Sequence, residues 1–198
     1  MADGDKLREI LEKGETIRWN SSTQAYGLFD EAHKKSTSMS MAVGLAVGIF
    51  LTGGYLWLCL SRNIELKNVI IFLCLGISLL VIWSPISTRK HLSSMRYAIT
   101  DKRVIALSTE TDKAITMPLS ALDAMRVVQA GPETCHILLG SSISGASGKK
   151  LTALAMHGQD AEGEDKVKTS KGVVFYNISA GAESTLRVLL QPLAPRHA

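Results

Sequence analysis

Two apolar runs without a single charged residue, 39–60 and 69–86, lie early in this 198-residue chain, separated by the polar stretch 61–68. At roughly 1.5 Å per helical residue the first extends about 33 Å and the second about 27 Å. A bilayer's hydrocarbon core is about 30 Å thick, so the pair reads as a transmembrane hairpin. Polar, strand-like sequence stands on both sides of it. The residues outside the two runs suffice for one small folded unit.

Charge sets the expected orientation. Lys34 and Lys35 precede the first run, and Arg89, Lys90 and Arg96 follow the second, whereas the connecting loop carries Arg62 and Lys67. Lys and Arg accumulate on the cytoplasmic side, so both termini are expected in the cytoplasm. Tyr55, Trp57 and Trp83 near the run ends suit an interfacial aromatic belt. The formal net charge is +4. Its positive residues concentrate beside the apolar runs, which suits an anionic membrane surface. No basic stripe interleaved with aromatics is present, so a nucleic-acid partner is not expected. The polar opening residues do not read as a secretory signal.

The flanking sequence reads as short elements. Residues 5–13 carry Leu7, Ile10 and Leu11 at helical spacing and predict a short amphipathic helix. Residues 15–23 alternate Ile17 and Trp19 with polar neighbours, as a strand does. After the hairpin, strands are expected at 96–100, 104–108, 114–119, 125–129, 135–140, 151–157 and 173–178, with Asp101-Lys102-Arg103 as a tight turn. Their spacing favours an antiparallel sandwich or barrel. Ala182, Leu186, Leu189 and Leu190 share one face of a final helix. Segments 140–150, rich in Gly and Ser, and 158–172, rich in charge, read as mobile loops.

Catalytic and metal-binding patterns are missing. Gly148-Lys149 is followed by Lys150 rather than Ser or Thr, and Ile143 stands where a phosphate-binding loop needs its first glycine. The five histidines and three cysteines share no zinc-ligand spacing. There is no Gly-x-Ser-x-Gly elbow. The sequence thus predicts no enzyme, no cofactor and no metal.

Two other patterns concern packing and the membrane surface. Gly44 and Gly48 form a GxxxG, which lets helix backbones approach closely in lipid. Either this face takes the second run, with its Gly76 and Ser78, or it joins another copy. Lys34, Lys35, Arg89 and Lys90 belong at headgroup level, and Arg18, Lys102 and Arg103 are the cations a domain could add for lipid contact.

The stretch Arg96-Tyr97-Ala98-Ile99-Thr100-Asp101-Lys102-Arg103-Val104-Ile105 resembles the signature of membrane-flanked bacterial pleckstrin-homology-like (PH-like) domains, Arg-Tyr-x-hydrophobic-Thr-Asp-x-Arg followed by two hydrophobic residues. Three further segments agree. Residues 11–19, with Gly14-Glu15, are similar to the opening strand. Ile115-Thr116-Met117-Pro118-Leu119 is similar to an inner strand, and 173–178 with 186–190 to the closing strand and helix. The resemblance implies a half-open barrel of about seven antiparallel strands with the first before the hairpin, a bacterial inner-membrane location, and turn roles for Thr100 and Asp101. It supplies no catalytic residue. The stretch 140–172 is longer than the pattern.

The expected fold is thus a membrane α+β protein: a two-helix transmembrane hairpin inserted after the first strand of a PH-like antiparallel half-open β-barrel with a C-terminal capping helix. The divisions are 1–38, 39–88 and 89–198. The expected function is a non-enzymatic module for protein interaction or assembly at the membrane, its partners being membrane lipid and a protein or second copy. The rivals are an anionic-headgroup binder and an accessory subunit of a membrane enzyme or transporter.

Overall fold

A computed structural model describes residues 3–24, 31–140, 143, 145–163 and 166–190, with the side chains of 3–5, 31–36 and 149 excluded. The class is α+β: two long apolar helices and a sheet system of five plus three strands. The chain divides into two compact units, residues 27–90 and the remainder, 1–26 with 91–198.

The first unit is built on α2 (Glu31–Arg62) and α3 (Asn68–Ser93). Stretches of 26 residues in each, Thr37–Arg62 and Asn68–Ser93, are long and apolar enough to cross a membrane. The two helices meet where side chains are small. A Cβ on Gly44 would lie 2.8 Å from Ile82 Cγ1, and one on Gly48 2.5 Å from Ser78 Oγ. Ser78 Oγ donates to the Gly44 carbonyl at 2.6 Å. The Gly44–Gly48 face is therefore taken by α3, through Ser78 rather than Gly76, which has open space around it. At the turn end, the Lys67 amide donates to Tyr55 Oη at 2.9 Å.

The second unit begins with α1 (Asp3–Ile10) and β1 (Ile17–Ser22), and resumes after α3 with β2 (Met95–Thr100), β3 (Arg103–Ser108) and β4 (Lys113–Pro118). These form a sheet ordered β1-β2-β3-β4, extended past β4 by β7 (Val167–Thr169). A second sheet holds β5 (Met125–Gln129), β6 (Thr134–Leu139) and β8 (Val173–Ser179), in the order β5-β6-β8. Two more helices complete the unit, α4 (Gly148–His157) and α5 (Ala182–Leu190).

Both faces of the five-stranded sheet are covered, which explains why the middles of β2 (Tyr97, Ala98, Ile99) and β3 (Val104 to Leu107) are continuously apolar rather than alternating. Met95, Tyr97, Ile99, Val104, Ala106 and Met117 enter the main core with Ile137, Leu139 and Phe175. The opposite face, Ala98, Ile105, Leu107 and Ala114, packs under Leu7 of α1. Lys6 Nζ ties α1 to the β3–β4 turn through the Thr109 carbonyl at 2.8 Å and Asp112 Oδ1 at 2.7 Å. Leu186 and Leu190 of α5 and Leu151 and Ala155 of α4 also enter the main core.

Three expectations are corrected. The stretch 151–157 is helix, not strand, because Leu151 and Ala155 one turn apart are its buried positions. The segment 158–172 is not a plain loop, since it carries β7 and the bridges Gln159–Gly172 and Glu162–Thr169. The sheet is not purely antiparallel, because β7 pairs in parallel with β4.

Candidate functional site

The segment with the most specific sequence, Tyr97 to Arg103, defines a cluster that joins the chain before the hairpin to the chain after it. β1 and β2 pair antiparallel from Ile17–Thr100 to Ser22–Arg96. At one end the β2–β3 turn places Arg103 against Glu15. Arg103 Nε donates to Glu15 Oε1 at 3.0 Å and Nη2 to Oε2 at 2.9 Å. Such a two-pronged pair is strong because the planar guanidinium matches the carboxylate. Arg103 Nη2 also donates to the Ile10 carbonyl at 2.9 Å, which satisfies an orphan acceptor at the end of α1. Thr100 Oγ1 donates to Glu15 Oε1 at 2.7 Å and accepts from the amides of Lys102 and Arg103. The Glu12 amide adds a bond to Glu15 Oε2 at 2.8 Å.

The Glu15 side chain is fully enclosed. Burial alone would raise its pKa. The hydrogen bonds from Arg103, the Glu12 amide and Thr100, with the charge of Arg103, outweigh that and hold it at about 2. Beside it, Asp101 Oδ1 accepts from the Thr16 amide at 3.0 Å, which lowers that exposed carboxyl.

At the other end of β2, Tyr97 is completely buried, and burial pushes its phenol up to about 12. Its hydroxyl accepts from Thr23 Oγ1 at 3.2 Å and from the Tyr176 amide at 3.0 Å. The Tyr97 ring packs on Phe175 at 4.7 Å, and Trp19 stacks on the same Phe175 at 5.5 Å. The Gln24 amide donates to the Asn177 carbonyl at 2.8 Å, and Asn177 Nδ2 returns a bond to the Gln24 carbonyl at 2.9 Å. Asn177 adopts a positive φ of 50°, which Asn tolerates better than most residues. Beneath it, His136 Nδ1 accepts from the Asn177 amide at 2.9 Å.

Tyr97, Thr100, Asp101 and Arg103 thus each bond a residue that precedes the hairpin: Thr23, Glu15, Thr16, and Glu15 with Ile10. The arrangement fastens a divided domain. Thr100 and Asp101 take the turn roles expected of them. Arg103, expected at a membrane surface, has a side chain only 15% exposed and is committed to Glu15. Lys102 is exposed and pairs with Glu12 at 3.3 Å. Lys34 and Lys35 lie in α2 with side chains outside the described ones, and Arg89 and Lys90 lie in the last turns of α3. Glu12 and Glu15 were not singled out from sequence. Their only signal is the Gly14-Glu15 pair, and the answering charge lies 88 residues away.

Cys59, Cys74 and Cys135 are free and buried. Burial, with Glu183 nearby, raises the Cys135 thiol. Among the described residues no three His, Cys, Asp or Glu come together as metal ligands. Comparison with protein-family models, curated proteins and solved structures returned no match.

Proposed function

We propose that this is an integral membrane protein whose divided domain is a PH-like module, held at the cytoplasmic surface and used for protein interaction and assembly rather than for catalysis. The observation that carries this reading is the insertion of α2 and α3 between β1 and β2, two strands that pair with each other. A domain interrupted in this way cannot leave the membrane that holds its hairpin.

Several features support the reading. Within the 18-residue apolar windows of the two stretches only 17% and 11% is buried, unlike helices at the core of a soluble protein. Phe50, Trp57 and Leu60 of α2 and Val69, Phe72 and Leu80 of α3 are largely exposed, as lipid-facing residues are. A four-strand meander, a three-strand set and a closing helix have the order a PH-like barrel requires, with α4 and β7 as an insertion. The excess of Lys and Arg beside the outer ends of the hairpin supports cytoplasmic termini. The titratable groups described above hold the fold, with Glu15 ionised and bonded by several donors.

The test is mass spectrometry of the intact protein extracted gently from its own membranes. Self-assembly or a stoichiometric protein partner is expected. A monomer that retains anionic lipid selectively would replace this reading with headgroup binding.

A further inference from the structure

An open sheet edge is a template for pairing with another strand, and three of the four described edges in the second unit are closed or distorted. The outer edge of β7 is taken by Glu162, whose amide and carbonyl both bond Thr169, at 2.9 and 3.0 Å. The outer edge of β8 is occupied by the Tyr97 hydroxyl on the Tyr176 amide and by Gln24 on Asn177. The β1 edge is distorted by a register shift between Ile17 and Trp19.

β5 carries none of these devices. It pairs with β6 in unbroken register, Met125–Leu139 through Gln129–Cys135. It ends its sheet and contains no Pro, no Lys and no bulge. The flanking bonds Gly140 N–H to Ala124 and Ala130 N–H to Thr134 O fix its hydrogen-bonding phase. Alternate residues of an antiparallel pair bond inward, so Arg126 and Val128 exchange bonds with β6. The main-chain groups of Met125, Val127 and Gln129 therefore point outward, and no described residue pairs with them.

We propose that this edge joins two copies of the chain, β5 against β5 in antiparallel pairing about a two-fold axis at Val127. The register is self-complementary. Val127 faces itself, Met125 faces Gln129 of the second copy, and Arg126 faces Val128, so no like charges are opposed. Met125, Val127 and Gln129 each exchange both main-chain bonds with the residue opposite. β5 has only five residues, so the pairing is weak between molecules free in solution. It suits a partner at high local concentration, which a shared membrane provides. The proposal rests on the membrane-assembly reading above and gives that assembly a surface.

Arg126 and Val128 of opposite copies form a non-hydrogen-bonded pair, with Cα atoms about 4.5 Å apart, within disulfide reach. The experiment co-expresses two differently tagged full-length chains, Arg126→Cys and Val128→Cys, and applies a mild oxidant to native membranes. A mixed disulfide dimer is expected in the co-expression and not with either variant alone. A second variant, Val127→Pro, removes an outward N–H without breaking a bond to β6. It should halve the mass of the extracted particle while the chain stays folded. A wild-type dimer that gives no mixed cross-link, or that survives Val127→Pro, overturns the β5 pairing and leaves the assembly reading in place. A monomeric wild type holding only lipid overturns both.

Discussion

Glu15 and Arg103 form a two-pronged ion pair at 2.9 to 3.0 Å, and the whole hairpin lies between them in the chain. With Tyr97 on Thr23 and Asp101 on Thr16, this pair shows what a divided domain needs that a continuous one does not. Short-range connectivity cannot hold β1 in place, so side-chain bonds must.

Removing one partner leaves the other buried and uncompensated. Glu15→Ala and Arg103→Ala should each destabilise the second unit by about 2–4 kcal/mol, the lower part allowing for the partial exposure of Arg103. The double variant should lose less than the sum, since the two share one interaction. Thermal unfolding of the full-length protein followed by Trp19 fluorescence, with Trp57 and Trp83 replaced by Phe, reads both.

The same carboxylate sets an acid limit. Its folded pKa of about 2 lies below the ordinary value of 4.5. Ionised Glu15 therefore contributes its full stabilisation above pH 4.5. That contribution falls as pH drops through the window from 4.5 to about 2. The difference corresponds to about 3 kcal/mol. Glu15→Gln should be less stable at pH 7 and lose less stability on acidification; an unchanged slope across that window would contradict the assignment.

The helix pair should distinguish its glycines. Gly48→Leu places a side chain against Ser78 and should separate α2 from α3, whereas Gly53→Leu enters open space. Ser78→Ala removes the bond to Gly44 and should cost about 0.6–2 kcal/mol. Resistance of the detergent-extracted hairpin to protease should fall for Gly48→Leu, moderately for Ser78→Ala, and little for Gly53→Leu.

A fragment from Arg89 onward lacks α1 and β1, leaving the Ala98, Ile105 and Leu107 face and the edge of β2 uncovered. It should fail to fold alone and gain structure when a peptide of residues 3–24 is added. A folded, monomeric fragment without the peptide would show that β1 is dispensable.

The long helices were legible in the sequence because their composition admits few other structures. β1 through β6, β8 and α5 were legible from apolar runs and turn residues. The helix at 151–157 is not legible in the sequence because a short apolar run does not distinguish strand from helix. The pairing face of α4, Leu151 with Ala155, is set by β8 and the rest of the core. β7 is not legible in the sequence because it is three residues long, set among charges, and joined in parallel to β4, a pairing that leaves no hairpin signal. From sequence Arg103 reads as a surface cation because nothing local announces Glu15. The turn roles of Thr100 and Asp101 were legible because turn chemistry is local.

The adjacency of β1 and β2 has a consequence for biosynthesis. Roughly seventy residues separate the two strands, several seconds of synthesis at the usual ~5–20 residues per second. Whatever barrier the intervening helices cross, the chain must cross it an even number of times for these strands to meet. A product in which one helix enters and the other does not has β1 and β2 on opposite sides, and its Arg103 never finds Glu15. On the membrane reading proposed above, closure of the sheet is thus a parity check on insertion, and chains that fail it keep β1 and β2 unpaired.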